Sequence, residues 1–560
     1  MLNCGRGRME SYQLKLLLVI SILVLLVVGF VYSQPSTKKN PTNKSFSQGE
    51  LNEVNGIRVL KISGTSFDMA YQHGKLLSPE IKKGMIPYYI SLLRKLFKKI
   101  PNENYRKKVT DYADSFLLSP MKELLSARAR VELEALSWAT GIPREAYQTA
   151  YVLPDAFLLV LGVLHDKGIS LARSQFGCTS FAAMNDATKD GSLIIGRNLD
   201  YDGVGIWDQF PTLLFYNPTK GYKHVSATTA GVHTGGITAI NEKGLSLSLH
   251  QILSEDVNLG TSILDIGDQI IRSAQSIEEA VKIIRENDVA GCWSYLMTDS
   301  IGGKSRIAVV SISSSKVRVQ FFKDHIALSN FYLNREMHQN EYEILQSITD
   351  SSRFRFLRMM ELLKNNYGEI NVAHAADFLS DTFDKALGKE KSVSPNIISV
   401  VSNTQSVIFK VKDGKIQIWI SNGKAPSSRG EYIGFDFDGT YLGTMSHTQK
   451  KRTEDLEAYV SAYRAHYELG DATQALVHLE QAIKTNEADT SYLFIKGMLL
   501  LELGEKEEAR KVLEKVNQAD LSAYQKTVYS RLKSLQAVSP DLRYFDILDD
   551  SLERLESIEK

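Results

Sequence analysis

The spacing of apolar positions divides the chain into four textures. Leu16 to Val31 is an apolar run. Residues 57–172 open on a strand-like IRVLKIS and then turn helical. Over 81–100, IKKGMIPYYISLLRKLFKKI carries an apolar face with basic residues between, and over 151–164, YVLPDAFLLVLGVL is apolar all round, the pattern of a buried helix. From Cys178 to about Thr440 the period shortens to that of strands, in LIIGRNLDY, TLLFY, GITAI, LSLSL, RIAVVSIS and VRVQFF. VIFKVKDGKIQIWIS sets Asp413-Gly414 between alternating runs, a hairpin signal. Helical stretches intervene at 264–287 and 353–366. Strands joined by hairpins, with helices set apart, predict an α+β layered domain rather than a parallel βαβ sheet.

From residue 451 the helical period returns with an internal repeat. Gly470 and Gly504, Ala475 and Ala509, and Leu479 and Leu513 are each 34 residues apart, the period of the tetratricopeptide repeat. The spacing predicts two helical repeats at about 456–523 and a capping helix near 524–537. A plain pair of helical hairpins is the alternative.

Composition adds bounds. The 560 residues exceed one ordinary domain, and 43% apolar with 23% charged allows a large core. A formal net charge of +1 gives no reason to expect a nucleic-acid partner. Three cysteines, at 4, 178 and 292, have no metal-ligand spacing and are too few for a disulfide framework, so Cys178 and Cys292 are expected as free thiols. Arg6, Arg8 and Lys15 before the apolar run predict a signal peptide or signal anchor over 1–34, hence export, with the membrane as a partner if the segment is retained. Residues 35–56, polar and rich in Ser, Thr, Asn and Lys, read as a flexible linker, and 541–560 as a tail.

The chemistry-bearing stretch is Phe176-Gly-Cys-Thr-Ser-Phe-Ala-Ala, where a cysteine follows glycine at the start of a strand. Nineteen residues after Cys178 comes Arg197, in Gly196-Arg-Asn-Leu-Asp200 at the end of a buried-looking strand. An isolated internal cysteine is ordinarily a small core residue; an Arg and an Asp closing the next strand give it charged company. The combination resembles N-terminal-nucleophile hydrolases, in particular the isopenicillin N acyltransferase-like proteins, related to choloylglycine hydrolases and acid ceramidase. Gly64-Thr-Ser-Phe-Asp-Met-Ala-Tyr-Gln-His-Gly74 resembles the opening of the family's propeptide region. Asn241-Glu-Lys-Gly-Leu245, Leu328-Ser-Asn-Phe331, Ser352-Arg-Phe354 and Ala425-Pro-Ser-Ser-Arg-Gly-Glu-Tyr432 support it.

The resemblance implies a four-layered αββα sandwich over 57–450, with 57–177 as propeptide or small subunit and 178–450 as catalytic part, followed by tetratricopeptide-like repeats over 451–540. It implies self-cleavage between Gly177 and Cys178, so that the thiol becomes the nucleophile and the new α-amine, with an ordinary pKa of about 7.7–8.0, its base. By the same resemblance Asp200 orients that amine, Arg197 favours the thiolate, and Asn330 donates to the oxyanion. Arg353 supports the site, with Arg355 of the same segment as alternative. A further donor falls at Gln251, with His250 beside it. The expected function is a cofactor-independent hydrolase or acyltransferase acting on a linear amide of a small N-acyl compound, with no metal. A second reading is a membrane-tethered scaffold whose repeats bind a partner protein; a papain-like protease lacks the cysteine context.

Overall fold

The computed structural model describes residues 49–98, 114–166, 177–301, 303–341, 346–445 and 452–534. The apolar run 16–31, most of the polar stretch after it and the tail 541–560 lie outside the described residues. Among the described residues no helix is long and apolar enough to cross a membrane.

Two sheets face each other. The larger has nine strands in the spatial order Glu50–Val54, Ile57–Gly64, Pro211–Pro218, His224–Thr229, Thr238–Asn241, Ser246–Gln251, Trp293–Ile301, Lys304–Ile312 and Val317–Phe322. The smaller has seven, ordered His325–Leu328, Gly177–Asn185, Gly191–Asp200, Asn403–Lys412, Lys415–Ser421, Tyr432–Asp436 and Tyr441–Met445. Their inner faces share one core. Val59, Leu213 and Val309 of the larger sheet pack there with Ile195, Val407 and Ile418 of the smaller. Helices Ser66–Leu76, Ala127–Thr140, Arg144–Asp166 and Ile263–Ser273 cover the outer face of the larger sheet. Helices Gln346–Asn365 and Val372–Leu379 cover the smaller. The result is a mixed α+β layering of helix, sheet, sheet and helix, compatible with the N-terminal-nucleophile arrangement.

Local chemistry explains the elements. Asp413 and Gly414 both adopt positive φ in the two-residue turn that pairs Lys412 with Lys415. Asn55 and Gly56 do the same between Val54 and Ile57. That second hairpin corrects the predicted linker: residues 50–54 are an edge strand, held by the Asn-Gly turn and by Leu51 against the core. Among the described strands pairing is antiparallel except for the parallel pair of Ile57–Gly64 with Pro211–Pro218. The helix predicted over 264–287 is two, because Ser276 caps a new start at Ile277.

The segment before Gly177 is built into the fold. It supplies two strands of the larger sheet, and it enters a buried ion cluster. Arg128 reaches Glu132 at 2.7 Å and Asp265 at 2.7 Å, and also Asp268. Arg272 reaches Asp268 at 2.7 Å and Glu132 at 3.0 Å. Flanking arginines hold the Asp268 carboxyl well below the usual carboxylate range against the cost of burial. The Gln72-His73-Gly74 stretch is likewise structural. Gln72 hydrogen-bonds both backbone groups of Ser63, at 3.0 and 2.9 Å, and a Cβ on Gly74 would lie 2.6 Å from Ala139 Cβ.

Residues 454–534 form helical hairpins. Gly470 and Gly504 adopt positive φ at equivalent turns, and Ala475, Ala509, Leu479 and Leu513 are buried.

The ion cluster joins residues on both sides of Gly177. Asp268→Ala should lower unfolding stability by about 3–5 kcal/mol in urea denaturation, because it leaves two guanidiniums short of a partner.

Candidate active site

Adjacent strands of the smaller sheet bring the site together. Their register sets Gly177 opposite Asp200 and Cys178 opposite Leu199. Arg197 Nη2 lies 3.4 Å from Cys178 Sγ. The Cys178 backbone N–H, one side of the Gly177–Cys178 peptide bond, donates to Asn330 Oδ1 at 2.6 Å. Asn330 Nδ2 donates to the Gln251 carbonyl at 3.0 Å. In this uncut chain the Asn330 amide thus holds the peptide nitrogen instead of presenting a donor to an oxyanion.

The second arginine of the site is Arg355. It is buried, and its Nη1 donates to the Cys178 carbonyl at 2.8 Å and to Thr179 Oγ1 at 2.7 Å. Its Nη2 donates to Asn330 Oδ1 at 3.2 Å, and Asp200 Oδ2 is 3.8 Å from Nη1. Arg353 is exposed. The correction is one of helix phase. On helix Gln346–Asn365 the inward stripe runs Ser352, Arg355, Met359 and Leu363, and a residue two places from Arg355 faces away. The apolar spacing of Phe356, Met359 and Leu363 carried that information.

Gly177 is required by space. Its φ is not in the left-handed region; instead a Cβ there would lie 2.9 Å from Arg355 Nη2 and 3.3 Å from Asp200 Oδ2. The neighbouring positions hold the frame. Asn198 donates to the carbonyls of Leu379 and Ile398, and Ser180 pairs with His250. His250 therefore points away from the cavity, whereas Gln251 lines it. Asn403, which no sequence pattern marked, donates to Asp200 Oδ1 at 3.1 Å. Asp200 Oδ2 and Arg197 Nε and Nη1 are buried without a hydrogen-bond partner.

Charge follows from this layout. Burial pushes the Cys178 thiol up, while Arg197 pulls it down. Burial pushes the Asp200 carboxyl up to about 7, against the pull of Arg355 and Asn403. Two buried guanidiniums thus face one carboxyl that burial pushes toward its neutral form, and a thiolate or an oxyanion at Cys178 would supply the missing negative charge. Cys292 is inert by contrast: it is buried, 3.1 Å from the Asp256 carbonyl, and pushed up to about 12 by burial. Among the described residues no cluster of His, Cys, Asp or Glu is placed to hold a metal.

Cys178 opens onto a largely apolar cavity of about 100 Å³. Its roof comes from the segment before Gly177, with Ile86, Tyr89, Tyr147, Tyr151 and Pro154. Tyr201 and Trp207 form one wall. The loop that carries them is fastened by the C-terminal hairpins. Glu468 Oε1 accepts from the Gly203 and Val204 N–H groups at 2.9 and 3.0 Å, and Glu468 Oε2 accepts from Tyr88.

Residues 187–425 match the family model for acyl-coenzyme A:6-aminopenicillanic acid acyl-transferase. That span holds Arg197, Asp200, Asn330 and Arg355 and begins just after Cys178. An uncharacterized protein of Archaeoglobus fulgidus is 21% identical over 400 residues, covering 65% of this chain and 64% of its own. Protein dcd1B of Dictyostelium discoideum is 21% identical over 180 residues, covering 30% of this chain and 32% of its own. The chain spans less than two thirds of the length of either relative. The matched model is that of an acyl-transferase family, and it covers less than half of the chain.

The phase of the two arginines is directly testable. Arg353→Ala should shift unfolding stability by no more than about 0.5 kcal/mol, and Arg355→Ala should cost about 3–5 kcal/mol, read by denaturant titration.

Proposed function

We propose that the chain cuts itself between Gly177 and Cys178 and then acts, through Cys178, as an amidohydrolase or acyltransferase on linear amides of small N-acyl compounds. The observation that carries this reading is the contact of Asn330 Oδ1 with the N–H of the proposed scissile bond, at 2.6 Å, beside the Arg197–Sγ contact at 3.4 Å. Cys178 Sγ attacks the Gly177 carbonyl carbon. The C–S bond forms, the C–N bond breaks, and the released nitrogen takes up the proton as an α-amine. Water then hydrolyses the thioester, freeing the thiol and the Gly177 carboxylate.

Each neighbour has a part in that sequence. Arg197 favours the thiolate. Asn330 Oδ1 is positioned to accept from the new amine, and Asp200 Oδ2, next to Gly177, is a second acceptor. In turnover the same thiol attacks the substrate carbonyl, and the amine returns the proton to the leaving group. Water completes hydrolysis; an amine acceptor that outcompetes water completes transfer. The apolar cavity suits an acyl chain.

In this reading the N-terminal run is an export signal or anchor, and the hairpins are tetratricopeptide-like. A scaffold that only recruits a partner is less favoured, because Glu468 fastens the hairpins to the wall of this same cavity.

Intact-mass measurement of the purified protein should find a break after Gly177, absent in Cys178→Ala and strongly slowed in Gly177→Ala. An uncut wild-type chain that turns over no N-acyl amide overturns the proposal. The rate of cutting should rise with pH around a midpoint near 7, since Asp200 ionises there and can then accept the thiol proton; Asp200→Asn should remove that inflection. Glu468→Ala should raise KM for an N-acyl amide several-fold with self-cleavage unchanged, measured by initial rates and by gel; equal losses in both would mean a general defect in folding.

A further inference from the structure

Asp155 is a buried carboxyl that the chemistry at Cys178 leaves unused. It follows Pro154 on helix Arg144–Asp166 and is fully enclosed. Three donors converge on it. Trp293 Nε1–H reaches Oδ1 at 3.0 Å, the Ile263 N–H reaches the same oxygen at 3.4 Å, and the Ser262 hydroxyl reaches Oδ2 at 2.7 Å. Ser262 and Ile263 begin helix Ile263–Ser273, and Trp293 opens strand Trp293–Ile301. A carboxyl from the segment before Gly177 therefore fixes two elements that come after it.

The three elements meet at the cavity. Pro154, Leu264 and Trp293 all line it, whereas Asp155 does not. The Trp293 N–H is shared with the Ala290 carbonyl, also at 3.0 Å, and a Cβ on Gly291 would lie 3.0 Å from the same nitrogen. An N–H shared between acceptors on separate elements fixes the plane of the ring; one acceptor alone would let it tilt. With its polar atom engaged in this way, the indole offers the cavity hydrocarbon. Its place bears on the thiol. Trp293 is paired in register with Gln251, whose carbonyl accepts from Asn330 Nδ2, and Asn330 Oδ1 accepts from the Cys178 N–H at 2.6 Å.

We infer that Asp155 is a positioning residue for the substrate: acting through Trp293, it holds the indole as the wall on which the apolar group of the substrate packs beside Cys178. The inference rests on the proposed acyl pocket and adds a residue from before Gly177 that sets its shape. Burial pushes the Asp155 carboxyl up to about 7, and both of its forms suit their neighbours. When Asp155 is protonated, Ser262 Oγ can accept from it and donate instead to the Tyr151 carbonyl, 3.4 Å away. Asparagine reproduces that form, with an oxygen for Trp293 and an N–H for Ser262.

The wall can be read without turnover, by labelling Cys178 in the full chain with N-methyl- and N-butyl-iodoacetamide and following each rate by peptide mass mapping. The wild type should favour the butyl reagent. Asp155→Ala should lower the butyl-to-methyl ratio roughly fivefold to tenfold, the size expected when one buried hydrogen bond is lost, and Asp155→Asn should keep the wild-type ratio. Trp293→Phe should lower the ratio as far as Asp155→Ala does, and combining the two should lower it no further. A wild type without butyl preference, a ratio unmoved in Asp155→Ala, or losses that multiply in the double variant overturns the inference. Should Asp155→Ala not fold, Trp293→Phe decides alone, and a wild-type ratio there overturns it. Turnover of N-acyl amides is assayed separately, so failure of the amidase reading is distinguishable from failure of this one.

Discussion

Two guanidinium groups buried against a single carboxylate are the constraint around which the centre of the molecule is arranged. Arg197 and Arg355 are almost fully enclosed, and Asp200, their one acidic neighbour, is itself pushed to about 7. Buried positive charge in such excess is costly unless an anion completes it. The thiol of Cys178 and the carbonyls around the Gly177–Cys178 bond are the groups placed to do so. The surrounding polar residues serve this arrangement. Thr179 and Asn330 occupy the donors of Arg355, Asn403 steadies Asp200, and the pairing of Asn198 with distant carbonyls locks the strand that carries both charged residues.

The sheets exist at this point to set register. A one-residue slip between the Cys178 strand and the Asp200 strand would turn Cys178 or Arg197 to the opposite face. Both strands are internal to the smaller sheet, and their other neighbours, His325–Leu328 and Asn403–Lys412, deliver Asn330 and Asn403 from their ends. The same layering leaves room for the apolar cavity only because helices from before Gly177 roof it.

How much of this was legible in the chain depends on the range of each interaction. The alternation around Asp413-Gly414, the buried strand ending in Arg197 and Asp200, and the glycine before Cys178 are local signals, and local chemistry suffices to read them. The reason for glycine at 177 is steric, depends on Arg355 some 180 residues away and was not visible locally. The choice between Arg353 and Arg355 needed only the helical period and was within reach. Asn403 and the Glu468 tie were not, because each acquires its role from partners distant in the chain. The Asn55-Gly56 turn was present as a hairpin signal in a stretch whose polarity suggested a linker.

The roof of the cavity belongs to residues that precede Cys178. A chain divided after Gly177 would therefore keep its reacting atoms on one polypeptide and much of its discrimination on another. The shorter piece would be a permanent subunit, not a spent leader. Evolution could then retune what is recognised by altering that piece, leaving the sequence around the thiol untouched.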